Sequence, residues 1–185
     1  THDRTGLGGL DVVLAAGESL HGVNLVHPRV LDSLRIRAGI PSYGSDFGES
    51  TLPQEAGLHA AIHWGKGCYV GQEVVARLGH RGQTARELRH VRLAKALPVG
   101  TEFFLSGDER AVGHVTSVAP REGSTHAIAM LKRRAFAPGT SLEAHVGGAV
   151  IAGEVLGPAA PRDTLGPEND PTFKANRPQR GLARG

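Results

Sequence analysis

Six short apolar segments crowd the second half of this chain, at residues 88–93, 101–105, 110–119, 125–131, 141–146 and 149–156. Turn signals stand between them, at Pro98-Val99-Gly100, Ser106-Gly107-Asp108 and Pro138-Gly139. Segments this short, at close spacing and cut by glycine and proline, read as strands of a small all-β barrel or sandwich. Composition points the same way. Aromatics make up only 4% of 185 residues against 26 Gly and 11 Pro, so packing must lean on Leu, Val, Ile and Ala in short, turn-rich elements.

The first half mixes helices with short extended pieces, so the fold class expected is α+β. Residues 10–14 follow the glycine-rich turn Gly6-Leu7-Gly8-Gly9 and read as a strand. Residues 28–38 carry a helical period: Pro28 suits the first turn, Gly39 and Pro41 stop it, and Val30, Leu31, Leu34 and Ala38 share one face. Arg35 borders that face, with its stem covered and its head toward ligand or solvent. Residues 42–57 form a long polar loop, of the kind that often carries function. A strand is expected at 60–64 and a helix at 71–78 with Val74, Val75 and Leu78 inward. The organisation expected is a first domain over 1–84, a barrel over 85–157 and a Pro-, Gly- and charge-rich disordered tail over 158–185. The chain opens at Thr1 inside a strand-bearing segment and reads as part of a longer protein.

A formal charge of +3 is too modest for a dedicated duplex binder. Arg177, Arg180 and Arg184 in the tail leave room for a weak or indirect RNA contact. One cysteine, Cys68, allows neither an internal disulfide nor a multi-cysteine metal site, which fits a reducing, cytoplasmic setting. No apolar run approaches the roughly 18–20 residues of a membrane span, so no membrane partner is expected. His59 and His63 have i, i+4 spacing, but on a strand four residues span about 13 Å, too far for one ion. No metal site is expected.

The stretch Lys66-Gly67-Cys68-Tyr69-Val70-Gly71-Gln72-Glu73-Val74-Val75-Ala76-Arg77 carries the most chemistry. Its glycines let the backbone turn tightly and place Cys68 just ahead of a helix N-terminus. The peptide dipoles there, with Lys66, favour the thiolate, so Cys68 is a candidate functional thiol. A lone cysteine is otherwise a small buried hydrophobe. Gln72 and Glu73 sit where side chains cap free N–H groups, and Arg77 lies one turn beyond Glu73, placed for an ion pair or an anionic ligand.

The segment from Lys66 to Glu73, closing with Ala76-Arg77, resembles the signature of the YgfZ family of folate-binding proteins, whose mitochondrial members assist iron–sulfur assembly. Upstream, Asp32-Ser33-Leu34-Arg35-Ile36-Arg37-Ala38-Gly39-Ile40-Pro41, then Tyr43-Gly44-Ser45-Asp46 and Leu52-Pro53-Gln54-Glu55-Ala56-Gly57-Leu58, are similar to the wider aminomethyltransferase superfamily. The resemblance, over about residues 5–156, implies the remainder of a GcvT-like folate-binding domain followed by a C-terminal β-barrel. It implies tetrahydrofolate as ligand, with Arg35, Lys66 and Arg77 as contacts, and an accessory role in iron–sulfur cluster assembly or repair. Iron–sulfur carriers or client enzymes, including tRNA-modifying ones, would be its partners, and any cluster would be shared with them. Two residues depart from the pattern. Leu7 stands where the transferases have a pterin-holding glutamate, and Arg37 where relatives often have Glu. The rival expectations are a tetrahydrofolate-dependent aminomethyltransferase and an RNA-binding module.

Overall fold

The computed structural model describes Thr5, Leu7 and residues 12–63, 67–81, 84–121 and 123–159. Its centre is a six-stranded antiparallel sheet of β1 (Arg86–Leu93), β2 (Glu102–Phe103), β3 (Gly113–Ala119), β4 (Thr125–Lys132), β5 (Ser141–Val146) and β6 (Ala149–Pro158). Each of the six expected strands is present. The order is β2-β3-β4-β1-β6-β5. Just after β2, Phe104 and Glu143 of β5 exchange backbone hydrogen bonds of 2.8 and 2.9 Å, so the two sheet edges meet and the barrel nearly closes.

Period-2 alternation sorts the side chains. Val91 and Leu93 of β1 and Ala127, Ala129 and Leu131 of β4 point inward, where they pack with Phe103, Val112, Val115, Leu142 and Val155. Leu88, Ile128 and Met130 point outward and form a second core with Ala119. Two irregularities adjust the register, one in β3 between Val115 and Ser117 and one in β1 against β6 between His90 and Val91. The first lets Val115 and Val118 both face the inner core while Ala119 joins the outer one.

The upstream chain covers that outer face. Helix α1 (Pro28–Arg37) begins where His27 Nδ1 accepts from the Arg29 N–H at 3.2 Å, with Pro28 in the first turn. It ends at Gly39, whose φ of +74° allows the Gly39 and Ile40 N–H groups to bond back to Ile36 and Arg35. The buried residues are Arg35 and Ile36, whereas Val30 and Leu31, expected inward, are exposed. The barrel meets only the last turns of the helix, where Ile36 enters the outer core, so the apolar period of the first turns goes unused.

Residues 42–57 form a loop of turns that adds to the sheet by a Leu88 N–H bond to the Glu55 carbonyl at 2.8 Å. The segment at 60–64 is not a strand: His59–Ala61 is a single 3-10 turn, Ile62 and His63 have no regular structure, and Trp64 lies outside the described residues. Residues 12–14 likewise form no strand, because no described residue pairs with them. Helix α2 (Gln72–Arg81) runs three residues past expectation, with Val75 buried but Val74 exposed. Pro158, placed in the tail by composition, closes β6, and Ala159 is buried in the outer core. The rest of the expected tail lies outside the described residues, as does Lys66.

Candidate functional site

The cysteine-bearing segment lies on the surface. Gly71 adopts a φ of +86°, a conformation only glycine takes freely, and it turns the chain into α2. Tyr69 and Gln72 cap that entry reciprocally: the Gln72 N–H donates to the Tyr69 carbonyl at 3.2 Å, and Gln72 Oε1 accepts from the Tyr69 N–H at 3.4 Å. The capping role expected of Gln72 is therefore built. Cys68, four residues before the helix, is a free, exposed thiol. Glu73 and Arg77 form an exposed i, i+4 ion pair at 3.0 Å. Behind them Gln54 Nε2 donates to the Val75 carbonyl at 2.8 Å, which ties α2 to the 42–57 loop.

Arg35 has a different setting. Its Nε donates to Asp32 at 2.6 Å, Nη1 to Asp46 at 2.6 Å and to the Ile40 carbonyl at 3.2 Å, and Nη2 to Ser117 Oγ at 3.1 Å. Four of the five guanidinium N–H groups are thus engaged, and the residue is buried. The head turns inward rather than toward solvent, and its partners include none of the cysteine-segment residues. The Asp46 carboxylate, with its side chain 0% exposed, also accepts from the Ser42 N–H at 2.9 Å and Thr116 Oγ1 at 2.5 Å. This network joins α1, the loop and β3. Thr116 and Ser117 could not be found from sequence, because only strand register brings them to Arg35.

A histidine pair is a second feature invisible in sequence. His90 Nε2 and His126 Nδ1 lie 2.9 Å apart on the outer face of β1 and β4. Burial, then the neighbouring His126, push His90 down to about 4. His126 is lowered too, by burial and by the charges of Arg37, Arg92 and Arg121. Among the described residues no three His, Cys, Asp or Glu side chains gather to hold a metal ion. No helix among them is long and apolar enough to cross a membrane.

No family model matches the chain. It is 28% identical over 127 residues to an aminomethyltransferase of Moorella thermoacetica, covering 68% of this chain and 34% of that protein. It is 33% identical over 117 residues to the dimethylsulfoniopropionate demethylase DmdA of Ruegeria pomeroyi, covering 59% of this chain and 30% of the relative. In fold it matches the crystal structure of the glycine cleavage system aminomethyltransferase T from Bartonella henselae, with a TM-score of 0.60 and 22% identity over 68% of this chain and 36% of that one. The chain spans about a third of the length of the curated relatives it matches. It is thus homologous, at low identity, to one part of the aminomethyltransferase superfamily.

Proposed function

We propose that this chain is part of a folate-binding accessory protein of the YgfZ type, acting in iron–sulfur cluster assembly or repair for client enzymes such as those that modify tRNA. The observation that carries this reading is Cys68, an exposed thiol held just ahead of α2 within Gly67-Cys68-Tyr69-Val70-Gly71-Gln72-Glu73. Presented on a capped turn, it is open to a partner's cysteines or a cluster. A single thiolate cannot hold a cluster, which generally needs about four protein ligands, so the cluster is shared with the partner. In this reading residues 1–84 are the folate-binding part and 85–157 the barrel on which it rests.

Homology to aminomethyltransferases supports tetrahydrofolate as the small ligand. The described residues fit it only in part. Arg77 is exposed and its pair with Glu73 can open to an anion. Arg35 is buried with four of its N–H groups bonded to described residues, so its main role is to position the 40–47 loop.

The second reading, a tetrahydrofolate-dependent aminomethyltransferase, is favoured by the names of the relatives. Titration of the complete protein with tetrahydrofolate by calorimetry, beside a turnover assay with an aminomethyl donor, separates the two. Saturable binding without turnover is expected. Turnover at an enzyme-like rate would move the protein to the second reading, and no binding would remove folate from the account.

A further inference from the structure

We propose that Arg37, Arg92, Arg121 and the His90–His126 pair, with the groove beside them, form a binding site for a small phosphate- or sulfate-bearing ligand. Strand register creates the cluster. His126 of β4 stands directly across from Arg92 of β1, and Ala119 of β3, its neighbour on the other side, leads within two residues to Arg121. From α1, Gly39 packs against the His90 ring, so closely that a Cβ there would lie 3.3 Å from it, and Arg37 stands two residues earlier.

Three arginines thus stand around His126, and their charges are felt by its ring. The opposing acid is Glu154 of β6, which pairs with Arg92. The guanidinium groups of Arg37 and Arg121 have no hydrogen-bond or ion-pair partner among the described residues, and both residues are exposed. Two unneutralised arginines that crowd a histidine pair leave a local excess of positive charge, which an oxyanion would offset.

A groove of about 440 Å³ opens beside the cluster; Arg92 lines it, paired with Glu154, and Gly123 and Ser124 in its wall belong to the same turn as Arg121. That volume is within the range of small-ligand sites. Its wall includes Gly123 and Gly139, where an added Cβ would meet nothing, and Gly153, which lies flat on Leu93. The backbone there leaves room for a ligand to approach closely. The hydroxyls of Ser124 and Ser141 also line it and make no hydrogen bond to another described residue. Arg92 at the edge shared with the cluster and the two serine hydroxyls offer donors that suit a tetrahedral oxyanion.

Binding would also take up protons. His126 is held below its ordinary range by burial and by Arg37, Arg92 and Arg121, while His90 faces it from β1 and Glu154 lies behind Arg92. A bound anion cancels the repulsion of the arginines, so His126 gains a proton more readily in the complex. Affinity then rises as pH falls through the histidine range.

The test is calorimetric titration of the complete protein with inorganic pyrophosphate at low ionic strength, using Arg37→Gln, Arg121→Gln and, as control, Arg29→Gln. Saturable binding is expected, weakened about tenfold in each of the first two variants and unchanged in the control. Sulfate, which does not titrate in this range, should bind several-fold tighter at about pH 5.5 than at about pH 7.5. Absence of saturable binding at millimolar pyrophosphate, equal binding in all variants, or sulfate affinity flat with pH would overturn the proposal. So would a short single-stranded RNA that binds through the same arginines while pyrophosphate does not, since the site would then belong to nucleic acid.

Discussion

Replacing Arg35 by Met keeps the length of the buried stem and removes the charge. Asp46, whose side chain is 0% exposed, then keeps, among the described residues, only the Ser42 N–H and the Thr116 hydroxyl as donors. Breaking one side of a buried ion pair costs about 3–5 kcal/mol, because a carboxylate is left without its countercharge. The two surviving donors place the expected loss near the lower end, about 3 kcal/mol. For a chain of this size each kcal/mol moves Tm by about 2–4 °C, so a drop of roughly 6–12 °C is expected. Urea unfolding followed by circular dichroism measures the free energy, and scanning calorimetry gives Tm. Adding Asp46→Asn to Arg35→Met removes the orphaned charge and should recover more than about 1 kcal/mol relative to Arg35→Met alone. A loss under about 1 kcal/mol for Arg35→Met, or strict additivity in the double variant, would refute the view that this pair joins α1 to the barrel.

Three further outcomes follow from the geometry. Burial and the neighbouring His126 push His90 down to about 4 in the folded protein against an ordinary 6.5, so unfolding takes up a proton as pH falls below about 6.5. Stability should therefore decline from about pH 6.5 toward about pH 4, by about 2 kcal/mol once partial exposure is discounted. His90→Gln should flatten that slope in pH-dependent urea melts, and an unchanged slope would exclude His90 as its source. Gly113→Ala would drive a Cβ to 2.1 Å from the Met130 carbonyl oxygen, so separation of β3 from β4 and a loss of about 3 kcal/mol or more are expected in the same assay. Arg77→Gln, breaking an exposed pair, should change stability by under about 0.5 kcal/mol yet weaken tetrahydrofolate binding; a large stability loss would show that Arg77 is structural.

The barrel was legible because its strands are short and separated by Gly or Pro turns, as in 141–146, where Leu142, Ala144 and Val146 alternate with polar residues and whose bounds the structure reproduces. Helix α1 was legible from Pro28 and Gly39. Its inward face was not, since Arg35 is buried by partners as distant in sequence as Ser117. Residues 60–64 read as a strand from apolar content alone, which does not tell a strand from a 3-10 turn when only a few residues are involved. Register is also silent in sequence: the irregularity between Val115 and Ser117 depends on how β3 meets β4. The cysteine segment stood out because its residues are contiguous. The histidine pair did not, because its members are 36 residues apart.

The role given to Cys68 is tested most directly in cells that produce the complete protein with Cys68→Ala, by measuring the activity of cluster-dependent tRNA-modifying enzymes while circular dichroism confirms the fold. Because Cys68 is exposed, the variant should fold normally, and client activity should fall to the level of cells lacking the protein. Client activity equal to that with the unaltered protein would contradict the account and remove the thiol from the mechanism.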